Sequence, residues 1–132
     1  MTSTQGGLLI TDAARIFQVS KTNAADAGDI TLATVSGSVL IESITAKTVV
    51  THANLDSIEV VGGASDAVIF ITAAIGVKTS LDGVDKQVAW TGAVELGAAK
   101  TIICSFLGAG AGSVTILFTI KYRSVTSNSQ LA

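Results

Sequence analysis

The chain has 132 residues, 48% hydrophobic and 14% charged, with a net charge of −2. Soluble domains carry about 25% charged residues, and disorder needs low hydrophobicity with high net charge, so a disordered chain is excluded. No basic excess exists to neutralise phosphates, which argues against nucleic-acid binding.

At this length one domain is expected, at most with arms. It buries roughly two-thirds of the surface its unfolded chain exposes. With so few charges to coat the rest, apolar patches should remain outside, as they do on proteins that work within an assembly.

Residues 1–14 open small and polar, with Gly6-Gly7 and Asp12, and read as an N-terminal arm ordered by a neighbour. The polar start without a basic run is no signal peptide. Arg15 to Lys21 is the first expected strand, with Ile16, Phe17 and Val19 apolar. Thr22 to Asp29 is a loop, and Ile30 to Val35 a second short strand before Ser36-Gly37. Ser38 to Thr51 is long and β-branched, and its length predicts a bend near Thr45-Ala46. His52 to Asp56 is a turn or a short helical corner. Ser57 to Val61 is strand-like and ends at Gly62-Gly63. Ala67 to Ile75, with Val68, Ile69, Phe70 and Ile71, is expected as a buried strand. Gly76 to Asp85 is a loop, and Lys86 to Val94 a strand broken at Gly92.

From Thr101 to Ile120 no residue is charged, a length that allows a membrane-spanning helix. Gly108, Gly110 and Gly112 interrupt it, however. Beyond them Val114, Ile116, Phe118, Ile120 and Tyr122 alternate with their neighbours at period two, which is the signature of a strand. Thr101 to Leu107 and Ser113 to Arg123 are therefore expected as a closing pair joined by a glycine-rich hairpin turn. The Val114–Ile120 face should be buried, and no membrane partner is expected. Ser124 to Ala132 reads as a polar C-terminal tail. About eight strands with glycine turns give an all-β antiparallel sandwich over residues 15–123, flanked by arms at 1–14 and 124–132.

Catalytic chemistry finds no complete motif, so no catalytic, cofactor-binding or metal-ligating residues are assigned and no enzyme is expected. His52 has Asp56 four residues on, but no Gly-x-Ser-x-Gly turn supplies a nucleophile. A single histidine cannot build a multi-histidine metal site. The lone Cys104 excludes an intramolecular disulfide or a cysteine metal cluster, and its apolar flanks read as a small buried side chain. The Asp26–Asp29 and Asp82–Asp85 pairs lack the ligand spacing of a calcium loop and read as solvated turns. Glu42, Glu59 and Glu95 are the only glutamates, and nothing places them in one cleft. Gly108 to Gly112 is followed by a strand, whereas a phosphate loop opens a helix. Trp90 could stack a sugar or a base, but with no aromatic companion in its own segment it reads as packing.

Gly37-Ser38-Val39-Leu40-Ile41-Glu42-Ser43-Ile44, the threonine-rich Thr48-Val49-Val50-Thr51, Ile69-Phe70-Ile71-Thr72-Ala73, Thr101-Ile102-Ile103 and Gly112-Ser113-Val114-Thr115-Ile116, running to Ile120-Lys121-Tyr122, carry a resemblance. In these segments the chain resembles the small jelly-roll structural proteins of tailed-bacteriophage virions, especially capsid decoration (cement) proteins. The resemblance implies a jelly roll that forms a homotrimer, clamps the major capsid protein or other virion proteins, and stabilises the assembled head. It implies a place on the capsid surface of the virion, after synthesis in the host cytoplasm. Other readings of the same β-rich body are a neck, tail or vertex component, or a carbohydrate-binding sandwich using Trp90.

Overall fold

The structure is a computed structural model that describes residues 13–23, 28–51, 53–63, 68–108 and 114–132. Among the described residues, nine strands and one helical turn follow in chain order: β1 (Arg15–Asn23), β2 (Gly28–Ser36), β3 (Val39–Val50), β4 (Ser57–Gly62), β5 (Val68–Ile71), α1 (Lys78–Leu81), β6 (Gln87–Leu96), β7 (Thr101–Leu107), β8 (Val114–Ser124) and β9 (Gln130–Leu131). They form two antiparallel sheets, β1-β8-β3-β6 and β5-β4-β7-β2-β9. Apart from β4–β5, every paired neighbour is remote in sequence, and the chain crosses repeatedly between sheets. That is the jelly-roll form of the expected all-β sandwich.

Period-two patterning explains each inner face. On β8 every even residue from Val114 to Ser124 is buried and every odd one is partly or fully exposed. This uninterrupted alternation suits the centre of a sheet, where β8 pairs with β1 on one side and β3 on the other. Val114, Ile116, Phe118 and Ile120 are fully buried as expected, and they join Val39, Ile41, Ile58, Ile102 and Phe106 in one core. Val39 and Ile41 are same-sheet neighbours of β8 and do not face it across the core.

β3 departs from the expected bend at Thr45-Ala46 and runs unbroken from Val39 to Val50. It absorbs extra residues in two bulges, where the pairing with β8 shifts register between Ile41 and Ser43 and again between Thr48 and Val50. An inserted residue flips the alternation, so the buried set changes from Val39 and Ile41 to Ile44, Ala46 and Thr48. β6 likewise continues through Gly92, with a register irregularity against β3 there in place of a break.

Three further expectations are corrected. β7 and β8 lie in different sheets, so the glycine-rich segment between them joins the two layers and makes no hairpin. The expected strand Ala67–Ile75 shrinks to Val68–Ile71, and Ile69 is 52% exposed because β5 is an edge strand. The loop before β6 contains the single turn α1, fastened where the buried Thr48 donates its hydroxyl to the Leu81 carbonyl at 2.8 Å.

The segment after Ser124, expected as a polar tail reaching neighbours, instead packs on its own body. Leu131 enters the core, and β9 pairs with Val35 and Ser36 of β2. Ser129 is fully buried; its hydroxyl accepts from Ser38 N at 2.9 Å, and its carbonyl accepts from Ser124 Oγ at 2.6 Å. Gly37 makes this possible: its φ is +81°, and a Cβ there would meet Ser129 Oγ at 2.1 Å. Serine and threonine carry no hydrophobic signal, so their role as a clasp between the two sheets was invisible to patterning. The N-terminal arm lies, up to residue 12, outside the described residues.

Candidate interaction surface

His52, Asp26 and residues 109–113 lie outside the described residues. The remaining candidates are scattered over both sheets. Cys104 points inward from β7 and is fully buried, where desolvation, with the nearby Asp29 carboxylate adding to it, pushes its thiol well above the ordinary range. It packs as a small apolar side chain. Asp29 is exposed on β2 and accepts a 2.6 Å hydrogen bond from Ser105 Oγ. Asp82 and Asp85 each engage a different lysine: Lys86 lies 2.6 Å from Asp82, and Lys47 lies 3.4 Å from Asp85. The hydrogen bond from Lys86 holds the Asp82 carboxyl below its usual range. Among the described residues no group of three potential metal ligands comes together.

The three glutamates do not all gather in one cleft. Glu42 and Glu95 lie on strands of the β1-β8-β3-β6 sheet, whereas Glu59 lies on β4 in the other. Glu42 pairs with Arg123 Nε at 3.0 Å, while its second oxygen is buried without a partner among the described residues. Trp90 is half-buried on β6, its ring centroid 4.8 Å from that of Phe70 in an edge-on arrangement with an interplanar angle of 74°. A Cβ on Gly92 would lie 2.6 Å from Trp90 Cζ2, so the indole covers the glycine. Phe70, remote in sequence, is the companion that local reading could not see. Together they close the side of the sandwich where β5 and β6 adjoin, and the indole is committed to packing.

What the molecule offers instead is surface. The outer side of β1 and β8 carries Lys121 and Arg123 at one end and is uncharged toward the other, where Gln18 donates to Thr119 Oγ1 at 3.0 Å and Thr22 and Thr115 share a hydrogen bond at 2.7 Å. Ile16, at the start of β1, is 59% exposed and paired with Lys121. Among the described residues β1 is a sheet edge, with β8 as its single strand partner. Phe17 and Val19, on its inner side, are partly buried against the core. Unpaired backbone along an edge with apolar side chains on both faces is a place where another strand can add.

No helix among the described residues is long and apolar enough to cross a membrane, and the uncharged stretch tested above contains β7 and β8. No family model matches the sequence, and no curated protein is similar to it. Solved structures do match. The class defined by the fold is the jelly roll found in chains of viral capsids. The particular matches are a chain in the acid-stable capsid of Helicobacter pylori bacteriophage KHP30 and a chain in the capsid asymmetric unit of cyanophage Pam1. The first superposes with a TM-score of 0.61 at 10% identity, covering 92% of this chain and 94% of that one. The second gives 0.57 at 12% identity, covering 94% and 97%. At such identities the likeness is one of fold.

Proposed function

We propose that this chain is a non-enzymatic structural protein of a bacteriophage virion, a decoration (cement) protein that binds the assembled head as a homotrimer. The observation that carries this reading is the two-way coverage of the matches. This chain spans 94% and 97% of the matched capsid chains, so each of those chains is itself about the size of one such sandwich. A small body with few charges and an open sheet edge suits a part held by neighbours. The packing of Trp90 disfavours the carbohydrate-binding alternative, since a sugar would need a free ring face.

The mechanism is mass action. A protein that binds the assembled shell, and not the separated subunits, stabilises it by RT ln(1 + [L]/Kd), about 2.7 kcal/mol per site at a hundredfold excess over Kd. Repeated over a lattice, small increments resist outward pressure. The test is to strip the protein from its particles, add it back, and follow shell disruption on heating together with copy number. Saturable rebinding at lattice-scale stoichiometry with a raised disruption temperature is expected. A few copies per particle would assign it to a vertex, neck or tail, and a particle without it would overturn the reading.

A further inference from the structure

We propose that the β1 edge of one copy accepts the apolar run Leu8-Leu9-Ile10 of a neighbouring copy as an added strand. The inference rests on the assembly reading above and names the surface through which copies would join.

Both faces of the acceptor edge ask for apolar cover. Phe17 and Val19 are partly buried on its inner side, and Ile16 is 59% exposed on its outer side. A strand alternates its side chains between two faces, so with Leu9 opposite Ile16 on the outer side, Leu8 and Ile10 flank it on the inner side, one of them over Phe17. β1 also directs Lys21 to its inner side, paired with the buried Ile116 position of β8. An inward charge guards an edge against indiscriminate pairing. The only charged side chain in residues 1–12 is Asp12, of opposite sign.

The length and position of the donor favour exchange between copies. Twelve residues reach up to about 40 Å when extended, more than the roughly 30 Å of a nine-residue strand. The described chain resumes at Ala13, two residues before β1 begins. To pair with its own β1, the run would have to reverse over Asp12-Ala13-Ala14, where only Asp12 belongs to the glycine, asparagine and aspartate set that tight turns favour. Tight hairpins need positive φ, which those residues supply most readily. Donation to a neighbour needs no such turn. It is a head-to-tail contact, which closes into a ring where the rotation allows.

The test uses full-length chains. Copies carrying Leu9→Cys are mixed with isotope-labelled copies carrying Ile16→Cys, oxidised, and mapped by mass spectrometry. Cys104 is buried and stays out of the exchange. A disulfide joining position 9 of one copy to position 16 of the other supports the proposal. In parallel, the Leu8→Ser/Leu9→Ser/Ile10→Ser chain, checked for folding by circular dichroism, should associate at least about tenfold more weakly by sedimentation. An oligomer that survives the triple change, forms no such link, or links positions 9 and 16 within single chains bearing both cysteines overturns strand donation while leaving the assembly reading intact. An unmodified chain that stays monomeric at micromolar concentration overturns the assembly reading as well.

Discussion

Replacing Phe118 by alanine tests the central claim about the core. Phe118 is fully buried at mid-β8, paired with Val19 of β1 and Ala46 of β3. Loss of the ring removes roughly 2 kcal/mol of transfer free energy. It also leaves a cavity of roughly 80–100 Å³, worth about 2 kcal/mol more at about 24 cal/mol per Å³. Little can collapse into that space: Ala46 has only a methyl group to offer, and Val19 is held on an edge strand. The expected loss is therefore about 4 kcal/mol, a large part of the 5–15 kcal/mol typical of a domain. Urea unfolding at one fixed protein concentration measures it, with Leu117→Ala on the outer side as the control. A change under about 1 kcal/mol for Phe118→Ala, or one no larger than the control's, would mean that the inner face has been misassigned.

Gly37→Ala should cost about 1–3 kcal/mol in the same assay, because its φ is +81° and a Cβ would strike Ser129, whereas Gly97→Ala, with open space around it, should change little. Cys104 should resist a soluble disulfide reagent in the native protein and react fully in denaturant, and prompt native-state labelling would contradict its burial. Asp82, whose folded-state pKa is lowered by Lys86, contributes stability that is present above the unfolded value and lost as pH falls through the folded one. Asp82→Asn should accordingly flatten the acid side of the stability–pH curve while leaving the region above pH 7 with the same slope, and an unchanged acid limb would contradict the pairing.

How far the sequence could be read depended on whether a residue's partner was local. β8 was legible because its alternation runs from Val114 to Ser124 without a bulge, and β7 because Thr101–Leu107 is bounded by Lys100 and Gly108. β3 was legible as a strand but not in its shape, since two inserted residues shift the phase where no glycine marks them. The pairing of β7 with β2 and β4, and not with β8, depends on which sheet each strand joins, and alternation carries no sheet label. The clasp of Ser124, Ser129 and Gly37 was illegible because the Ser129 hydroxyl accepts from the Ser38 backbone 91 positions away, a partner that no local pattern announces. The interaction surface was foreseen only as an excess of apolar composition. Its place on β1 follows from that strand's position at the end of a sheet.

The pairing of β1 with β8 also bears on how the chain acquires its shape. Gln18 and Thr119 are 101 positions apart, and closing a loop of that size costs about 4 kcal/mol of chain entropy. Among the described residues, only the β4–β5 pairing joins sequence neighbours, so almost nothing in the sandwich can form early and cheaply. Folding on the slow, millisecond-to-second side of the range for small domains follows. During synthesis β1, β2 and β3 leave the ribosome long before β8 exists to sit between the first and third. Until then the edge of β3 that β8 will occupy has no partner, and nascent chains held close together on one message are exposed to each other at the surface most prone to mispairing.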